Sequence, residues 1–139
     1  MSRNLIVGFD DSPGARAALE AAIDLARELG DRVVVAFGYE PPGALGEERG
    51  AARQAVRELG ERVTSHALAR AQAEGVEAEL ALVDAAPVDA LLQLADERDA
   101  RMIIVGSYGE HPLKGAILGS TPHKLLHLAE RPVLAVPAP

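Results

Sequence analysis

Residues 4–30 read NLIVGFDDSPGARAALEAAIDLARELG, and this stretch decides the fold. Its first part, Asn4–Phe9, is a short apolar run, which is typical of a buried strand. Ser12 and Pro13 then suit an N-cap and the first position of a helix. Apolar residues recur every three or four positions until Gly30, which ends the helix. The stretch therefore predicts a buried strand followed directly by an amphipathic helix.

The rest of the chain repeats this alternation of strand and helix. Further strands are predicted by the apolar runs at 31–40, 76–84, 101–106 and 132–136. Further helices are predicted at about 47–74, from about 87, and at about 121–130. Strands that alternate with helices form parallel sheets with helices on both faces. The sequence predicts one α/β domain over residues 1–139, with an open, doubly wound, five-stranded parallel sheet.

Two of these segments carry more specific expectations. The alternation of apolar and polar residues at 76–84 favours a half-exposed or edge strand. In the long second helix, Gly60 predicts a kink or a close packing contact. The residues expected to face inward there share a spacing of three or four positions: Ala52, Val56, Leu59, Val63, Ala67 and Ala71.

Composition excludes several classes of function. The chain has 139 residues, a formal net charge of −7 and no cysteine. Nucleic-acid binding is disfavoured because it needs a basic face, and thiol chemistry is excluded. No apolar stretch approaches the roughly 18 residues that span a bilayer, and no signal peptide pattern is present. We therefore expect a cytoplasmic protein without a membrane partner. A small anion is not excluded, because backbone N–H groups can bind phosphate.

In open parallel sheets, ligands bind beyond the carboxyl ends of the strands. The residues predicted to lie at those ends are Asp10 and Ser12 after the first strand, Gly38 after the second, Val83 at the third and Gly106 after the fourth. We expect these residues to surround a common site.

A glycine-rich segment follows the fourth strand. Gly106, Gly109, Gly119 and Ser120 form the pattern G-x2-G-x9-G-[S/T], and a helix is predicted to begin at Thr121. Glycines in such a loop allow the backbone to approach a phosphate, and a helix start directs N–H groups and hydroxyls toward it. The alternative is that the glycines only turn the chain and that a hydroxyl only caps the helix.

At these motifs the whole chain resembles the universal stress protein family. LIVGFDDSPGARAALEAAIDLA is similar to the first strand and helix of that family, with Asp10 and Ser12 in its DGS-like turn. MIIVGSYG, LGST and RPVLAVP are similar to its C-terminal signature. The resemblance implies a strand order of 3-2-1-4-5. It also implies a homodimer that pairs the last strand, Pro132–Val136.

The resemblance also implies an adenine nucleotide, ATP, as the ligand. Asp10 would lie beside the ribose and adenine, and the backbone at Gly38 would meet the adenine edge. Gly106 and Gly109 would face the ribose and phosphates. The phosphate tail would be held by Gly119, Ser120 and Thr121. Asp10 and Asp11 are the best acid pair for Mg²⁺ that accompanies the nucleotide.

Three residues depart from the family pattern. Tyr108 stands where the family often has a basic residue or histidine, Glu110 adds an acid to the loop, and Pro122 removes a backbone donor at the helix start. They support an alternative hypothesis, a dimeric interaction protein that does not bind nucleotide.

No catalytic residue is predicted. The chain has no G-x4-G-K-[S/T] motif and no nucleophile elbow. Asp10 and Asp11 beside a phosphate loop leave slow, incidental ATP hydrolysis as a third hypothesis. His123 and His127 have a metal-compatible spacing but no clear third ligand, so an exposed helix face is the favoured interpretation.

Overall fold

The computed structural model describes residues 2–39, 46–107 and 120–139, with no description of the side chains of 46–49. Strands and helices alternate along the chain, as the sequence predicts. The strands are β1 (Asn4–Gly8), β2 (Arg32–Gly38), β3 (Ala78–Val83), β4 (Ala100–Gly106) and β5 (Val133–Val136). The helices are α1 (Pro13–Leu29), α2 (Gly46–Ala73), α3 (Pro87–Glu97) and α4 (Ser120–Leu128).

The five strands form one parallel sheet in the order β3-β2-β1-β4-β5. This order confirms the one that the family resemblance implies. It places β3 at one edge, as its alternating sequence predicts, and β5 at the other. The carboxyl ends of β1 and β4 lie side by side at the centre, so the chain segments that follow them share one edge of the sheet.

Both faces of the sheet are buried. Successive residues of the central strands point to opposite faces, so Val7 packs in a core with α1 and α2 while Ile6 packs in a second core with α3 and α4. The largest completely buried side chains include Leu5, Ile103 and Ile104. A strand buried on both faces requires the uninterrupted apolar runs that the sequence shows.

The ends of α1 confirm the signals in the sequence. The Ser12 hydroxyl accepts a hydrogen bond from the N–H of Ala15 at 3.1 Å, and Pro13 is the first helical residue. Gly30 follows the helix with a φ of 70°, the left-handed conformation that glycine adopts without steric cost. The last helix ends earlier than predicted, at Leu128 instead of near Glu130.

The inward face of α2 differs from the prediction at one position. Leu59 is 48% exposed, whereas Gly60 and Thr64 are buried. A Cβ atom on Gly60 would lie only 2.6 Å from the ring of Phe37, so the glycine confirms the predicted close packing. Because the Phe37 ring packs on Gly60, the contact face of α2 is centred on small residues and Leu59 lies to one side.

Candidate functional site

A pocket opens at the carboxyl edge of the sheet, between the first turns of α3 and α4. β1 and the turn after it form one wall, and the ends of β2 and β4 form the base. The predicted site residues that line it are Asp10, Ser12, Gly38, Gly106, Ser120 and Thr121. The structure thus brings together residues that lie up to 111 positions apart in the sequence.

The turn after β1 has a fixed hydrogen-bond pattern. The Asp10 carboxylate accepts from the backbone N–H of Ser12 at 3.0 Å, and Ser12 caps α1. Between them Asp11 has a φ of 63°, and its carboxylate pairs with Arg16 at 3.2 Å. Of the two acids that the sequence offers as a pair for Mg²⁺, only Asp10 therefore lines the pocket. Asp11 has a left-handed backbone conformation and its carboxylate pairs with Arg16 at the surface, where both side chains are about half exposed.

Gly38 and Gly106 are required by packing as well as by the pocket. A Cβ on Gly106 would lie 2.6 Å from the carbonyl carbon of Gly14, in the first turn of α1. A Cβ on Gly38 would lie 2.9 Å from each of three atoms, which belong to Ala85 before α3 and to Pro87 and Ala90 in its first turn. Both distances are shorter than normal contacts, so any side chain would displace a helix start. The glycines let α1 and α3 approach the strand ends closely, and this close approach shapes the pocket.

The first turn of α4 supplies two hydroxyls to the pocket and contains a proline. Ser120 and Thr121 line the pocket, and Pro122 is buried against it. Proline carries no N–H, so this helix start presents one backbone donor fewer than usual. The departure at Pro122 that the sequence shows therefore lies directly on the pocket.

The pocket also has an apolar side that the sequence analysis does not anticipate. Phe37, Pro87 and Leu91 line it together with Val105. The position of Pro87 could be anticipated as the residue after the third strand that opens a helix. Leu91 could not, because its helical spacing fits the core equally well. An apolar wall with a few polar groups at one end is typical of small-molecule sites.

Val83 is the predicted site residue that the structure describes away from the lining of the pocket. Val83 packs its side chain against the core on the α3 side, and its carbonyl accepts from the N–H groups of Tyr39 and Ala85. It is not among the described lining residues, so its role at the site stays a prediction. The remaining predicted positions, Gly109, Gly119, Tyr108 and Glu110, lie outside the described residues.

The histidine pair of α4 occupies an exposed face of the helix. The rings of His123 and His127 are 4.8 Å apart in an edge-to-face arrangement. Across residues 2–39, 46–107 and 120–139, no three acidic or histidine side chains converge in a way that could hold a metal ion. Over the same ranges, no helix combines the length and the apolar character that crossing a bilayer requires.

Comparison with known proteins identifies the family. The model of the universal stress protein family matches residues 1–137. Universal stress protein YxiE of Bacillus subtilis is 31% identical over 151 aligned residues, covering 98% of this chain and 99% of YxiE.

Solved structures agree with this match. A universal stress protein in complex with cAMP superposes with a TM-score of 0.77 at 28% identity, covering 99% of this chain and 98% of the other. Protein MJ0577 superposes with a TM-score of 0.90 over 99% of this chain and 96% of its own; at 19% identity this shows the shared fold alone. Because the family model spans nearly the whole sequence and the curated relative aligns from end to end, the chain belongs to the universal stress protein family.

Proposed function

We propose that this protein is a nucleotide-binding regulatory module that holds an adenine nucleotide, ATP in particular, in the pocket at the carboxyl edge of the sheet. The observation that carries the proposal is the convergence of Asp10, Gly106, Ser120 and Thr121 on one pocket with an apolar wall. A relative of the same family, 28% identical, was solved in complex with cAMP.

The chemistry of the pocket suggests how the nucleotide lies. The adenine would pack on the apolar side formed by Pro87, Leu91 and Val105, since a base is a flat apolar surface with polar edges. The phosphates would lie at the start of α4, where the hydroxyls of Ser120 and Thr121 and the helix dipole favour negative charge. The glycines at 109 and 119 would complete the phosphate site.

The proposal is for binding without catalysis, with at most slow, incidental ATP hydrolysis. Of the charged side chains that the structure describes, Asp10 alone lines the pocket. Mg²⁺ commonly uses one or two protein carboxylates and completes its shell with phosphates and water, so Asp10 fits a role beside nucleotide-bound Mg²⁺. Asp11 pairs with Arg16, which weakens the case for a two-carboxylate hydrolase. We also propose a cytoplasmic location, on the basis of the cysteine-free composition.

The direct test is calorimetric titration of nucleotide-stripped protein with ATP and Mg²⁺, AMP and cAMP. We expect saturable binding at about micromolar to low-millimolar concentration. Thr121→Trp fills the phosphate end of the pocket and should weaken binding more than ten-fold, since a clash of about 1.4 kcal/mol is enough for that factor.

The matched control is His127→Trp, which places the same side chain on the exposed face of the same helix. It should bind like the wild type, and both variants should melt within a few degrees of it. Absence of binding in the wild type would overturn the proposal. It would favour the alternative interaction protein, with Pro122 as the residue that disables the phosphate site.

We further propose a homodimer that pairs β5 with its copy. β5 is an edge strand of the described sheet, and Leu134 on it is 37% exposed. The carbonyls of Pro132 and Val136 accept hydrogen bonds from the N–H groups of Ile103 in β4 and of Ser107 directly after it. In a parallel pair of strands, every second residue of the edge strand directs its N–H and C=O toward the neighbouring strand. Because Pro132 and Val136 face β4, the N–H and C=O groups of Val133 and Ala135 face away from the sheet. An exposed apolar edge of this kind favours pairing with another strand.

Ala135→Pro should convert the dimer to a monomer in sedimentation velocity. The substitution removes an outward-facing donor, and proline is tolerated at sheet edges because no hydrogen bond to β4 is lost. Ala135→Ser keeps the N–H and should remain dimeric. A dimeric proline variant, or a monomeric wild type, would contradict the pairing.

A further inference from the structure

We infer that Lys124 is a specificity-determining residue of the same pocket: its ammonium group recognises the terminal phosphates and so favours nucleoside triphosphates over monophosphates. The inference rests on the proposed function, because it concerns the phosphate end of that nucleotide site. Among the described lining residues the one charged side chain is Asp10, which is negative, and ATP would bring further negative charge.

Lys124 lies on the same side of α4 as Thr121. Residues three, four and seven apart share one side of a helix, so Thr121, Lys124 and Leu128 form one stripe along α4. Thr121 lines the nucleotide pocket, and Leu128 lies beside Leu92 of α3 in a separate cavity. Each end of the stripe thus lies at the rim of a cavity that α3 also lines, and Lys124 lies between them on the exposed side of α4.

The lysine side chain is long enough to extend back to the start of α4. Lys124 lies one turn after Ser120, about 6 Å along the axis at roughly 1.5 Å per residue. Side chains on a helix slant toward its N-terminus. The four-carbon stem of lysine spans a comparable distance, so the ammonium group can reach the level of the Ser120 hydroxyl. A phosphate at that hydroxyl would lie within range of a charge-assisted hydrogen bond.

The charges around Lys124 favour the binding of an anion. Lys124 is exposed and belongs to none of the ion pairs that the structure describes. The segment Ser120–Leu128 contains no acidic residue, in a chain with 21 acids. Lys114 and Lys124 are the two lysines of the whole chain, and every other basic side chain besides histidine is arginine. Lys124 can therefore offset the negative charge of the phosphates, which Asp10 cannot do because it is itself negative. Its ammonium group also adds a hydrogen-bond donor near a helix start where Pro122 has no N–H.

The test is a titration of adenosine, AMP and ATP, each with wild type, Lys124→Gln and Arg62→Gln at low ionic strength. Arg62 is exposed on α2, which packs on the opposite face of the sheet from α3 and α4. Its substitution therefore changes the net charge by the same amount but away from the pocket. We expect Lys124→Gln to lower the affinity for ATP about five-fold and the affinity for AMP less than about two-fold. The affinity for adenosine should not change. High salt should reduce the difference in ATP affinity between the wild type and Lys124→Gln, because it screens the charge of the lysine. Arg62→Gln should match the wild type for all three ligands.

The two possible failures are distinguishable. The role of Lys124 would be overturned, and the proposed function left intact, if the wild type binds ATP and AMP and Lys124→Gln binds each of them as tightly as the wild type does. Equal weakening of all three ligands would also overturn it, since a lost phosphate contact cannot affect adenosine. If the wild type binds none of the three, the proposed function fails and this inference fails with it.

Discussion

Gly106→Ala is expected to lower the free energy of unfolding by about 3 kcal/mol, the upper end for overpacking a tight contact. The added methyl group would lie 2.6 Å from the carbonyl carbon and 2.8 Å from the Cα of Gly14. These are backbone atoms at the start of α1, and no side chain can rotate to make room. The strand end and the helix start must therefore separate, which also displaces Asp10 and Ser12.

The measurement is urea denaturation followed by circular dichroism. Gly50→Ala is the matched control, because Gly50 lies in α2 and a Cβ there meets nothing within 4 Å. That variant should be more stable by about 0.5–1 kcal/mol, since alanine is the better helix former. Equal stability of Gly106→Ala and the wild type would show that the contact between α1 and β4 is looser than the structure has it.

Asp31→Ala is expected to lower the free energy of unfolding by about 3 kcal/mol, the lower end for breaking a buried ion pair. The Asp31 side chain is completely buried and accepts from the Arg3 N–H at 2.9 Å and from the Arg101 guanidinium. Asp31 directly precedes β2, and these bonds connect it to Arg3, directly before β1, and to Arg101 near the start of β4. Arg101 is 30% exposed, so water can hydrate it in the variant, which limits the loss.

The same carboxylate makes stability depend on pH. Burial raises the pKa of Asp31, but the hydrogen bonds from Arg101 and Arg3 and their positive charges outweigh burial and lower the pKa below its ordinary value. A carboxyl with a lowered folded-state pKa stabilises the protein above its unfolded pKa of about 3.9 and loses that contribution as the pH falls further. The stability difference between wild type and Asp31→Asn should therefore be constant near neutral pH and shrink below about pH 4.

Denaturation curves at pH 7 and pH 3 measure both effects. The control is Asp24→Ala, which removes an exposed carboxylate paired with Arg27 at 3.1 Å and should cost less than about 0.5 kcal/mol. A cost for Asp31→Ala no larger than that of the control would show that the pair is not buried in solution.

The sequence by itself determined the order of the elements and the edge at which the pocket lies. Apolar runs such as Asn4–Phe9 and the periodic spacing up to Gly30 are local signals, and a parallel sheet follows from their alternation. The caps at Ser12 and Gly30 were equally local. The order of the strands came from the family resemblance, because periodicity alone does not say which strands are neighbours.

Only the tertiary structure decided which candidate residues meet. It placed Asp10 at the pocket and Asp11, in a left-handed conformation, in a surface pair with Arg16. It exposed Leu59 because Phe37 packs on Gly60. It also gave Gly106 a packing role, against Gly14, that no pattern in the glycine loop reveals. Local patterns report the conformation of one segment, whereas these outcomes depend on contacts between segments far apart in the chain. Those contacts exist only after the sheet has formed.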